Sequence, residues 1–408
     1  MHRRQFIARL GGLAAGSAAT LAAPAAQACI WDRDTLAAEA QGALGVVPAL
    51  VGGFARNPPK YYEMRLARIE AEHPELAATD GRIDTSMLAL LPVYDDAAVA
   101  CDRLGRPGDA IEWMARKHAV LTATRAEDAA EHWYRYRANL GTFHAHRWLK
   151  RPDKWDATAD LDRAHELIAA AIEQNPDAHF GREVVQLRAL AWLRERPQTT
   201  PEHYELPWMY ELELEGHGMA THDNTYLADK GLGDAIPGLC GLIALGAAWD
   251  SFDVVHALAR LLGYDGRQSL VQLARSRCAE IVEAGGGSLV IGAPTGDALL
   301  AKLPHSATEG GIEPSFEQLR ERADAWSAKR EAYLLERLDR GEHPDTDADF
   351  WSGFAGDPQR MDEDALGIKP HKWLHGCACS TAEGATSGWA SALGLATLAG
   401  LALVRGRR

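Results

Sequence analysis

YDDAAVACDRLGRPGDAIEWMARKHAVL (94–121) reads as two helices around one turn. Tyr94, Ala98 and Cys101 recur at spacings of four and three, so they share one face of a first helix. Leu104-Gly105-Arg106 is the turn, and Ala110 and Met114 mark the facing side of a second helix. Small side chains such as Ala98 and Ala110 let two helices approach closely, and larger neighbours fill the gaps beside them.

The same arrangement is expected again further on. Tyr136-Arg137-Ala138-Asn139-Leu140-Gly141 opens a first helix, and LDRAHELIAAAIEQNPDAHFGRE (161–183) supplies the second, with Ala164, Ile168 and Ala171 in register and Pro176 as the stop. Gly141 and Ala164 lie 23 residues apart, and RWLKRPDKWDAT (147–158) reads as an inserted loop. NPPKYYEMRLARIEAEHPEL, VVHALARLL, QSLVQLARSRCAEIVE (268–283) and SFEQLRERADAWSAKREAYLLERLDRG (from Ser315) are further amphipathic helices, and Leu245-Gly246 with Trp249 is expected on another. Strand patterns are limited to ELPWMYELELEG (from Glu205) and SLVIGAP (288–294), too little to displace an all-α fold.

These units resemble tetratricopeptide repeats, most clearly over 91–124 and 134–178. The resemblance implies a TPR-like helical repeat, an α-solenoid, within a domain spanning 29–345. His144 stands where the family usually places an aromatic.

The chain has 408 residues, 47% apolar and 25% charged, which is the composition of a core-forming protein. Its formal charge is −14, and with the six terminal arginines and Glu383 set aside, residues 29–379 carry −19. So acidic a body repels phosphate backbones and argues against nucleic acid as a partner.

Both ends read as addresses. MHRRQFIARLGGLAAGSAATLAAPAAQA (1–28) is a basic patch, a weakly apolar run and an A-x-A site, a signal peptide cleaved after Ala28. Its Arg3-Arg4-Gln5-Phe6-Ile7 resembles the twin-arginine signal, which implies contact with an export machinery. At the other end, 346–376 is expected as an acidic linker, followed by a tail, 377–408. Cys377-Ala-Cys379 precedes GWASALGLATLAGLALV (388–404), an uncharged stretch of 17 residues. At the helical rise it spans roughly 25 Å, enough for a short transmembrane helix, and Arg405, Arg407 and Arg408 close the chain. This order resembles the tripartite MYXO-CTERM sorting tail. That resemblance implies processing near Cys377 and Cys379 by a membrane-embedded sorting protease, and anchoring at the cell envelope or surface. Cys101, Cys240 and Cys278 sit in apolar helical contexts and are expected as buried thiols.

The expected mature chain opens CIWDRDTL (29–36). Asp34 is a natural N-cap for a helix from Thr35, and Trp31 a staple onto the first repeat; a binding or metal role for Asp32 and Asp34 is the alternative. With the repeats and NPDAHFGRE, this opening resembles a group of exported bacterial tetratricopeptide proteins without a characterised activity. The likeness supports the fold and supplies no reaction.

Two further sites are expected. His144, His179, Phe180, Arg182 and Glu183 would line the rim of a repeat groove, where Arg182 can clasp a partner's carboxylate. Glu215, His217, His222 and Asp223 form the most metal-like group, though without the i, i+4 pairing of a zinc protease. No G-x-S-x-G elbow, phosphate loop or dinucleotide fingerprint is present, and no cofactor is expected. The reading is an exported, envelope-anchored scaffold that binds a protein or peptide ligand in its groove. The alternatives are a metal-dependent hydrolase on a helical frame and a structural envelope spacer.

Overall fold

The computed structural model describes residues 30–40, 45–77, 85–123, 126–176, 182–204, 233–303 and 315–356. The chain divides into two units, Met1–Ile368 and Lys369–Arg408, and every described residue belongs to the first.

The fold is all-α. Among the described residues there are thirteen α-helices and one isolated parallel bridge, Gln198 with Ile291. The helices are α1 (Arg33–Ala40), α2 (Val46–Val51), α3 (Pro59–Glu72), α4 (Leu91–Arg103), α5 (Pro107–Ala123), α6 (Ala126–Lys150) and α7 (Ala159–Gln174). They continue as α8 (Arg182–Arg194), α9 (Ala235–Ala244), α10 (Phe252–Tyr264), α11 (Gln268–Glu283), α12 (Gly296–Leu300) and α13 (Phe316–Asp339). SLVIGAP therefore contributes a single bridge residue, and ELPWMYELELEG lies outside the described residues.

Packing follows chain order. From α3 to α11 each helix packs on the next, and α6 touches both α4 and α5. The interfaces are built as the pattern requires. Ala98 and Ala110 are fully buried between α4 and α5, with Tyr94, Trp113 and Met114 beside them. Gly105 takes φ +80° in the turn after α4, a conformation that disfavours a side chain. The α6–α7 contact is closer still: a Cβ added at Gly141 would lie 3.0 Å from Ile168 Cδ1 and Cγ1.

Two elements tie distant parts together. All six residues of α2 are buried, packed against α9, α11 and α13. Helix α13 also packs on α3. A capping box starts α13, with the Ser315 hydroxyl accepting from Gln318 N and the Gln318 side chain accepting from Ser315 N.

Several expectations are corrected. The inserted loop is shorter than expected, because α6 runs on to Lys150; Trp148 Nε1 donates to the Lys154 carbonyl at 2.6 Å and anchors the loop from inside. Leu245-Gly246 and Trp249 lie in the connection between α9 and α10, not on a helix. The start of the 346–376 linker is part of the folded body: Phe350 is fully buried, and Trp351 stacks on Tyr333 with ring centroids 5.7 Å apart. Aromatic burial outweighs the acidic, glycine-rich composition there. Cys101, Cys240 and Cys278 are buried, as expected. Among the described residues no helix is long and apolar enough to cross a membrane. The expected leader with Ala28, Cys377 and Cys379, and the span 388–404 lie outside the described residues.

Candidate functional site

Among the described residues, a dense polar cluster gathers where the expected mature N-terminus meets the helices. Ile30 and Trp31 are buried, and Asn139 on α6 fixes them: its Oδ1 accepts from Trp31 N at 2.6 Å and its Nδ2 donates to the Trp31 carbonyl at 2.9 Å. The Trp31 ring meets Tyr134 edge-on, with centroids 5.7 Å apart. The staple therefore closes on α6, in the second repeat-like pair and not the first. The cap is also shifted. Asp32, not Asp34, accepts from Thr35 N at 2.9 Å, and α1 starts at Arg33.

Asp34 is thereby released to serve Arg65. Arg65, on α3, is fully buried and saturated. It donates to Asp345 at 2.7 and 2.8 Å, to Asp34 at 2.9 and 3.0 Å, and to Asp32 Oδ2 at 3.3 Å. Arg68 reinforces Asp345, and Arg33 pairs with Asp96 on α4 at 2.6 Å. His343 stacks on Tyr61 at 4.5 Å. Its Nδ1 accepts from Asp345 N, which leaves Nε2–H to donate to the Tyr61 carbonyl at 3.1 Å. Beside this group Lys117 donates to both oxygens of Asp95, at 2.6 and 2.7 Å, with all three polar atoms buried. A run of four residues, 31–34, so joins α3, α4, α6 and the 343–347 turn.

The carboxylates are driven apart electrostatically. Burial and the neighbouring Asp34 and Asp96 outweigh Arg65 and push Asp32 up to about 7. Burial also opposes ionisation of Asp345, but the hydrogen bonds and charge of Arg65 prevail and bring it down to about 2. Tyr61 is pushed well up by burial and by Asp34, so its hydroxyl is a fixed donor to Asp34 at 2.7 Å. Burial lowers Lys117, against the pull of Asp95.

Of the expected groove residues, His144, Arg182 and Glu183 are described. Arg182 and Glu183 are buried at the start of α8 and are not on an open rim. The Arg182 guanidinium lies 5.4 Å from the Trp31 ring centre, and Glu183 accepts from Tyr134 at 2.9 Å. Position 182 belongs to the same helical stripe as Val185, Gln186, Ala189 and Leu193, which explains its burial. His144 binds Asp160 at 2.7 Å, joining α6 to the start of α7, and Arg147 shares that carboxylate. His179 and Phe180 lie outside the described residues, as do Glu215, His217, His222 and Asp223. Among the described residues no three His, Cys, Asp or Glu side chains are grouped to hold a metal ion.

An open cleft of about 710 Å³ lies between α11 and α13. Ala279, Phe316 and Ala325 are among the residues that line it. Glu280 and Asp324 in its wall are paired with Arg320, whereas Glu283, Glu317 and Glu321 have no cationic partner among the described residues. No known protein family, curated protein or solved structure matches this chain.

Proposed function

We propose that the chain is an exported, envelope-anchored scaffold of tetratricopeptide type that docks a basic segment of a partner protein in the α11–α13 cleft. The repeat reading is supported by helices that pack in chain order, by α6 lying on both members of the preceding pair, and by small residues at the helix crossings. Export and anchoring rest on the leader and tail read from the sequence.

The cleft carries the choice of ligand. Three carboxylates without cationic partners among the described residues line the cleft beside Phe316 and two alanines, on a body whose charge is strongly negative. Lysine or arginine side chains answer those carboxylates, while their aliphatic stems cover Phe316 and the alanines. The Asp160-bonded His144 and the buried Arg182 and Glu183 serve the scaffold in this reading, and not the ligand.

The test is recovery from envelope extract on the immobilised chain from Cys29 onward, beside a bait carrying Glu317→Lys and Glu321→Lys. One partner, held by the first bait, released by raised salt and missing from the second, is the expected result. Recovery equal on both baits, or equal to empty resin, refutes the docking reading; the second outcome is that of a structural spacer.

A further inference from the structure

Four carboxylates, Asp32, Asp34, Asp96 and Asp345, meet three guanidinium groups, Arg33, Arg65 and Arg68, within ion-pair distance in the clasp. One carboxylate is in excess. The geometry singles it out: Asp34 and Asp345 take both their oxygens to Arg65 at 2.7–3.0 Å, whereas the Asp32 side chain has only a 3.3 Å contact to Arg65 and the Thr35 amide. Asp32 Oδ2 and Asp34 Oδ2 converge on the same Nη1 of Arg65. Two carboxylate oxygens there are tolerated best with a proton on one of them.

We propose that residues 31–36 form a proton-operated latch: with a proton on Asp32 the segment stays clasped to α3, α4, α6 and the 343–347 turn, and loss of that proton loosens it. The other groups around Asp32 do not remove the excess. Lys117 is paired with Asp95, while Arg103 and Arg330 hydrogen-bond to neutral carbonyl and amide oxygens and neither forms an ion pair with Asp32, whose cation within ion-pair distance is Arg65. Tyr61 and Tyr62 are held neutral by burial.

The upward displacement of Asp32 to about 7 agrees with this count and fixes the sign. The clasped state holds the proton up to about 7, and the released segment gives it up near 3.8. Raising the pH between those values therefore favours release, and above about 7 the effect levels off. His343, lowered by burial, acts in the opposite direction in part of this window, so the effect of Asp32 is read as a difference between wild type and a variant that keeps His343.

Amide hydrogen exchange of the full chain tests the latch, with the peptide covering Trp31–Leu36 compared with α10 at pH 5 to 8.5 and corrected for intrinsic exchange. Protection of that peptide relative to Asp32→Asn should fall by up to about tenfold per pH unit below pH 7, then flatten. The Asp32→Asn chain should be the better protected at pH 8. Equal pH slopes in the two chains overturn the proposal. Should Asp32→Asn fail to fold, Asp34→Asn removes the neighbouring charge and must move the wild-type midpoint to lower pH; an unmoved midpoint overturns it equally.

Discussion

Arg65 is the residue on which the clasp depends. It compensates three carboxylates from two distant parts of the chain while itself fully buried. Replacing it with Met keeps volume, removes the cation that pairs with Asp34 and leaves Asp345 with Arg68 and Arg33 alone. Breaking a buried ionic group from one side costs about 3–5 kcal/mol. Urea unfolding of Arg65→Met should show a loss of that size; a loss below about 1 kcal/mol would mean that the clasp is not holding the body. The residues of the clasp were only half legible in the sequence. WDRD offers two aspartates to one helix start, and spacing alone does not say which one caps; Asp32 does, and Asp34 goes to Arg65. The partners Asp96 and Asp345 escape any local pattern because they are brought by other elements. One signal was present. Arg65 lies four residues after Tyr61 and four before Ile69, on the buried stripe of α3, and Lys117 falls likewise between Met114 and Val120–Leu121 on α5. A basic residue on an apolar stripe announces a buried carboxylate partner. The same reading of stripes would have placed Arg182 indoors.

At the scale of elements, the sequence read well wherever a helix contact is made by local periodicity. The α4–α5 pair with its turn at Gly105, the extent of α11 and the start of α13 at Ser315 follow from spacing and caps. What spacing missed was the length of α6, whose last turns continue through the segment read as an insertion because Trp148 packs inward, its ring centroid 5.1 Å from that of Trp155. The α6–α7 contact permits a direct check. Gly141→Val would place new atoms against Ile168 and Leu167, already 3.0–3.1 Å from where its Cβ would stand. Overpacking of this kind costs about 1–3 kcal/mol. Thermal unfolding should register it as a lowered Tm, while Gly108→Val, whose Cβ position has nothing within 4 Å, should not show that packing loss.

At the scale of the whole molecule, two of the closures between sequence-distant segments stand out among the described residues. The buried α2 fits against α9, α11 and α13, and the turn at Asp345 returns to the segment that begins the body. Neither closure shows in local sequence, since each depends on complementarity between surfaces far apart along the chain. One consequence is that α11 and α13 are held at fixed separation by α2 beneath them, so the cleft between them is a preformed surface. The decisive measurement is site-specific photo-crosslinking in the intact envelope, with a photoreactive residue at Ala325 inside the cleft or at Ala115 on the exposed side of α5. The account predicts an adduct from Ala325 alone, mapping to a Lys- and Arg-rich segment of one partner and abolished by Glu317→Lys with Glu321→Lys. Equal adducts from both positions, or an Ala325 adduct that survives the charge reversal, would contradict it.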